Sequence, residues 1–125
     1  SNVAVGSGSL FSNTSASNNT ALGKDALYAN TTGADNTALG MNALAANTTA
    51  SYNSALSRGA LTNNTTGANN TAAGYVALNQ NTTGAQNAAL GAGASRQSTT
   101  GTNNTAVGYV AGYTNQTGTE SSRAL

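Results

Sequence analysis

Apolar positions in this chain come as short doublets set between stretches of Asn, Thr, Gly and Ser, and the doublets fall at a constant interval. A block of the form Asn-Thr-Ala-Leu-Gly begins at Asn2, Asn19, Asn36, Asn53, Asn70, Asn87 and Asn104, every step being 17 residues without insertion or deletion. A second block, Ala-Leu, stands at Ala26-Leu27, Ala43-Leu44, Ala60-Leu61 and Ala77-Leu78 and decays to Ala94-Ser95 and Ala111-Gly112. A third, Asn-Thr-Thr-Gly, begins at Asn30, Asn64 and Asn81, with variants at Asn13, Asn47, Ser98 and Asn115. Self-similarity at a short fixed period marks a stacked repeat, because one extra residue in any turn would break the ladders above it.

Seventeen residues are too few for a helix-turn-helix unit, which needs about 34, and Gly and Asn in every unit disfavour helix. The pattern predicts two short strands per turn, one on Asn-Thr-Ala-Leu and one around the second Ala-Leu. Gly at the fifth position ends the first strand, and Asn-Thr-Thr-Gly makes the second corner with its Gly supplying positive φ. The absence of Pro suits ladders in which every amide donates. Turns stacked about 4.8 Å apart give a seven-turn rod of roughly 34 Å.

Leu at the fourth and ninth positions is expected to point inward. The two rows are Val5, Leu22, Leu39, Leu56, Ala73, Leu90 and Val107, and Leu10, Leu27, Leu44, Leu61 and Leu78. The first-position Asn residues are expected to stack and to bond amide to amide from turn to turn. Residues 1–120 are read as the solenoid. Residues 121–125, Ser-Ser-Arg-Ala-Leu, are a degenerate eighth repeat or a transition, and the chain is read as a segment of something longer.

Composition sharpens this picture. Ala, Asn, Thr, Gly and Ser supply 92 of the 125 residues. So thin a core barely offsets the ordering entropy of each turn, which predicts that chains associate, burying the Ala face. Low charge and small polar residues also describe disordered tracts, but such tracts do not hold a register. Four Lys and Arg against three Asp and Glu leave a net charge of +1, no electrostatic footprint for nucleic acid. Cys and His are absent, removing the thiolate, the commonest general base and the commonest metal ligand. No apolar run approaches the roughly 20 residues of a membrane-spanning helix, so no membrane insertion by this segment is expected.

Candidate chemistry is sparse. Asp25, Asp35 and Glu120 sit at different repeat offsets, and nothing nearby would activate the many Ser and Thr hydroxyls. Two Asp residues cannot supply the Asp-per-turn pattern of calcium-binding β-rolls. No Gly-Lys-Ser/Thr phosphate loop occurs. The expectation is no enzyme, no cofactor and no metal. Sequons recur at Asn30, Asn47, Asn64 and Asn81, where Asn-Thr-Thr also reads as turn chemistry. Adjacent Thr rows such as Thr31 and Thr32 raise ice binding, but neighbours in a strand point to opposite faces and spell no flat Thr array.

Two positions vary most. The sixth reads Ser7, Lys24, Met41, Arg58, Tyr75, Ala92 and Tyr109, and the tenth reads Phe11, Tyr28, Ala45, Thr62, Asn79, Arg96 and Tyr113. Variation inside a rigid repeat marks outward positions. The candidate surface-contact residues are Tyr28, Arg58, Tyr75, Arg96, Tyr109 and Tyr113, types frequent at binding hot spots.

The block at Asn2-Val3-Ala4-Val5-Gly6 and Asn104-Thr105-Ala106-Val107-Gly108 resembles the Asn-Ser-Val-Ala-Ile-Gly motif of trimeric autotransporter adhesin heads. The longer consensus also looks like repeat regions of phage tail-fibre-like proteins and large bacterial surface proteins. The period here is longer than in those heads. The resemblance implies a left-handed parallel β-roll assembled as a homotrimer, located outside the cell on a bacterial surface or a phage virion.

The resulting expectation is an all-β parallel β-solenoid of 17-residue repeats serving as a non-catalytic extracellular fibre segment for adhesion or host attachment. Its partners would be itself, as homotrimer or filament, and a cell-surface or matrix receptor, with no nucleic acid. The alternatives are a phage tail-fibre shaft, a purely structural filament or spacer, and an ice-binding solenoid.

Overall fold

The computed structural model describes residues 1–113 and 121–124. The chain is an all-β parallel β-solenoid whose 17-residue repeats wind about six turns. Each turn contributes one short strand: β1 (Val3–Val5), β2 (Thr20–Leu22), β3 (Thr37–Leu39), β4 (Ser54–Leu56), β5 (Thr71–Ala73), β6 (Ala88–Leu90) and β7 (Asn104–Val107). A further strand, β8 (Ser121–Ala124), pairs parallel with β7, Asn104 opposite Ser121. The sheet runs β1 to β8 in chain order, and every pairing is between residues 17 apart, such as Ala21 with Ala38 and Ala38 with Ala55.

Strand geometry alternates side chains, and this decides what is inside. Asn at position 1 and Ala at position 3 point inward, and Ala21, Ala38, Ala55, Ala72 and Ala89 are fully buried. Position 4 therefore points outward, contrary to the expectation of an inward Leu row. Val5, Leu22, Leu56, Leu90 and Val107 are 54%, 49%, 39%, 41% and 38% exposed, and Leu39 is half-buried. The interior is filled from the opposite wall by Ala26-Leu27, Ala43-Leu44, Ala60-Leu61 and Ala77-Leu78, all fully buried. The Ala face, expected to pack between chains, is thus already covered within each turn.

The second Ala-Leu block is not a strand. After Gly ends the first strand, the chain makes successive tight turns: Ala26 N–H donates to Gly23 O, and Asn30 N–H to Leu27 O. Positions 7 and 9 are left-handed, as at Asp25 (φ 57°), Asn42 (62°), Leu27 (52°) and Leu44 (52°). A left-handed Leu costs about 1–2 kcal/mol, and its full burial offsets that by about 1.5–3 kcal/mol. Turn-to-turn bonds continue through this wall, Leu27 N–H donating to Ala43 O and Leu44 N–H to Ala60 O.

Two columns of buried Asn close the remaining corner. At position 1 the bonds run to backbone, not amide to amide as expected: Asn19 Nδ2 donates to Gly33 O at 2.8 Å, and Asn19 Oδ1 accepts from Asn36 N–H at 2.9 Å. The amide-to-amide ladder is at position 12. Asn47 Nδ2 donates to Asn30 Oδ1 at 2.8 Å, Asn64 to Asn47 at 3.1 Å and Asn81 to Asn64 at 2.8 Å. Both columns converge on the carbonyl at position 15: Ala50 O accepts from Asn36 and from Asn47. Gly at that position was expected to supply positive φ, but a Cβ on Gly33, Gly67 or Gly84 would stand 2.1–2.2 Å from the next turn's carbonyl oxygen. Close approach favours Gly there, although Ala16 and Ala50 hold the same position in two other turns, and the left-handed residue comes two positions later, at Asp35, Tyr52, Asn69 and Gln86.

Candidate functional site

Outside the two Asn columns and the Ala and Leu rows, side chains project from the turn wall. The left-handed residues at positions 7 and 9 bend the backbone around the sixth and tenth positions. Tyr28, Arg58, Tyr75, Arg96 and Tyr109 are exposed and Tyr113 is half-buried, so all six candidate residues lie on the surface. Both columns border one cleft of about 130 Å³, lined by Tyr75, Ala92, Arg96, Tyr109 and Tyr113 with Gly93 among its remaining wall residues. The structure therefore gathers four of the six: Tyr75, Arg96, Tyr109 and Tyr113. Arg58 stands beside this group, its guanidinium carbon 6.0 Å from the Tyr75 ring centroid, within cation–π range. Gln97 Nε2 donates to Tyr113 Oη at 3.4 Å on the rim.

Tyr28 lies apart from these, at a second cleft of about 360 Å³ lined by Asp25, Tyr28 and Ala45. Its ring stacks on Phe11, one turn earlier in the same column, with centroids 5.2 Å apart and planes 3° from parallel. Asp25 forms an ion pair with Lys24, whose side chain is 63% exposed. Such a surface pair contributes about 0–1 kcal/mol.

Phe11, Asp25, Ala45 and Ala92 were not among the candidate residues. Their signal was present in the columns: Ala45 follows Tyr28, and Ala92 follows Tyr75, so a gap opens in the turn after each ring. Asp25 belongs to position 7, where Gly8, Asp25, Asn42 and Gly59 read first as turn formers.

The arrangement offers binding chemistry. Among the described residues no group of three His, Cys, Asp or Glu side chains could hold a metal ion, and no helix is long and apolar enough to cross a membrane. The two clefts present aromatic faces, one carboxylate and one guanidinium. On the opposite side of the Gly corner, the outward rows of the sheet form a third surface: Val3, Thr20, Thr37, Ser54 and Thr71 beside Val5, Leu22, Leu39, Leu56, Ala73, Leu90 and Val107. Comparison with family models, with curated proteins and with solved structures gave no match for the chain.

Proposed function

We propose that this chain is a non-catalytic segment of an extracellular attachment fibre, assembled as a homotrimer through the outward Leu row of its sheet. The observation that carries the reading is the row itself. Seven apolar side chains, Val5 to Val107, stand in register on consecutive strands, on the outward side of the sheet. Over six strand spacings the row is about 29 Å long. Five of these side chains, Val5, Leu22, Leu56, Leu90 and Val107, remain 38–54% exposed, with half-buried Leu39 and Ala73 between them, and such apolar stripes mark association surfaces.

The stripe carries no charge and repeats at the strand spacing, so its natural complement is an identical stripe. It is also narrow, because each strand offers only positions 2 and 4 outward before the Gly corner. Three narrow stripes can face a common axis and cover one another. The Asn-Thr-Ala-Leu-Gly resemblance to trimeric adhesin heads and to tail-fibre repeats points the same way, and supplies the extracellular, attachment-related setting.

The test is mass by light scattering on the purified chain, beside a Leu22→Ser/Leu56→Ser/Leu90→Ser variant. Trimer mass is expected for the parent chain. Monomer mass with an unchanged circular dichroism spectrum is expected for the variant, since these side chains contribute little to the interior. A folded parent monomer at micromolar concentration, or a variant that still assembles, refutes the reading.

A further inference from the structure

The two clefts share one construction. In each, a Tyr ring is backed on one side by the residue 17 positions earlier in its own column: Phe11 stacks on Tyr28, and Arg58 lies over Tyr75. The residue 17 positions later is Ala, Ala45 or Ala92, and that gap lies in the cleft. Each ring is therefore held by a neighbour and leaves its other side toward a methyl-floored slot. In the second cleft the slot has a far wall, because Tyr109 stands two turns beyond Tyr75. Two turns are about 9.6 Å. A ring needs about 3.5–4 Å of van der Waals contact on each face, so the two-turn gap has room for one ring between the walls.

The rims are polar. Asp25, whose Oδ2 pairs with Lys24, keeps Oδ1 as an acceptor beside Tyr28, while Arg96 and the Tyr113 phenol stand beside Tyr75 and Tyr109. A ligand suited to both features has apolar C–H groups on its ring faces and hydroxyls around its edge. We propose that the two slots are saccharide subsites, each taking one hexopyranose unit of a surface polysaccharide, and that the Arg96 slot prefers a unit bearing a carboxylate. The pyranose face lies on the open side of the Tyr ring. Asp25 accepts hydroxyl hydrogen bonds in the first slot, and the planar guanidinium of Arg96 pairs with a uronate in the second.

Ala45 and Ala92 lie three repeats apart along the stack, about 14 Å by the strand spacing. One polysaccharide can span both, and weak single contacts then combine through effective concentration. The inference rests on the attachment reading and names its ligand class. It does not require the trimer, since neither slot uses the Leu row.

The test titrates the chain with a neutral glucan oligosaccharide and with an oligogalacturonate, read by amide chemical shifts and calorimetry, with mass measured on the same samples. Shifts are expected at Tyr28, Ala45, Tyr75, Ala92 and Tyr109. Ala45→Tyr and Ala92→Tyr fill the gaps with a residue these columns already carry, so folding is retained. Together they are expected to weaken binding by about tenfold or more. Arg96→Gln is expected to weaken oligogalacturonate by about tenfold and to leave the glucan nearly unchanged. A simple sticky aromatic surface would instead bind better with two added Tyr residues, which overturns the proposal. So does an absence of shifts with both carbohydrates, or a proline-rich peptide occupying the slots in their place. Loss of saccharide binding with trimer mass intact refutes this inference alone, and monomer mass with binding intact refutes only the assembly.

Discussion

Ser98 interrupts the position-12 ladder, and replacing it with Asn should stabilise the fold. From Asn30 to Asn81 each amide donates both to the Asn one turn earlier and to the carbonyl three residues on. Ser98 stands where the next amide belongs, and its hydroxyl is too short to reach. Two orphaned atoms result at this one step, Asn81 Oδ1 and Ser98 Oγ, and both are buried without a partner. Ser98→Asn supplies a donor to Asn81 Oδ1 and a second donor to Gly101 O, which now accepts from Asn87 at 2.7 Å. Carbonyls at this position already accept two amides at Gly33, Ala50 and Gly84. Each buried unsatisfied group costs about 1–3 kcal/mol, and ordering the longer side chain returns part of the gain. A net stabilisation of about 2 kcal/mol corresponds to a Tm increase of roughly 6–10 °C for a domain of this size. Guanidinium unfolding followed by circular dichroism measures it directly. The converse change, Asn64→Ser, removes the donor to Asn47 Oδ1 and should cost a similar amount. An unchanged or lower midpoint for Ser98→Asn would refute the ladder as an energetic unit.

Two further substitutions probe backbone and interior. Ser57 occupies the fifth position, where six of seven residues are Gly, and adopts φ 135°. Such strain costs about 1–3 kcal/mol, against about 0.4–1 kcal/mol of unfolded-state freedom that Gly adds. Ser57→Gly should therefore stabilise by about 1 kcal/mol in the same denaturant assay, and Gly40→Ser, whose Cβ would meet Ser57 C at 2.5 Å, should destabilise. Leu44→Asp buries an unpaired charge in a fully buried row and should abolish the cooperative transition, whereas Lys24→Ser should shift stability by about 0.5 kcal/mol or less.

The 17-residue period was legible in full, because stacking allows no insertion and the register of every strand pair follows from it. The direction of the side chains was legible only in part. Leu at position 9 is buried as expected, but Leu at position 4 faces out. The deciding signal was the Asn column: once Asn19, Asn36 and Asn53 are placed inside to stack, alternation puts Ala at position 3 inside with them and Leu out. Hydrophobicity alone argued for the wrong face, since the space behind the strand is filled by Leu from the facing wall. The second strand failed for a related reason. Gly8, Asp25, Asn42 and Gly59 at position 7 were turn signals set against an apolar doublet. Left-handed Leu at position 9 had no local signal at all, because burial overrides its backbone preference.

The candidate columns were legible for the same reason that the two clefts were not. In each turn the interior claims positions 1, 3, 8, 9 and 12, and backbone geometry claims 5, 7, 15 and 17, so variation at 6 and 10 reveals an outward surface without further information. A slot, however, is a relation between turns: Tyr28 matters because Phe11 precedes it and Ala45 follows. Such relations appear only when the sequence is read down a column at the 17-residue step. The Leu row, on the sheet side of the Gly corner, takes no part in either cleft. On the proposed assembly, three chains close around that row and leave both columns of each chain facing outward. Substitutions at positions 6 and 10 would then change what the fibre holds without changing its length, its register or its assembly, which explains how so strict a repeat tolerates Ser7, Arg58, Tyr75 and Ala92 in one column.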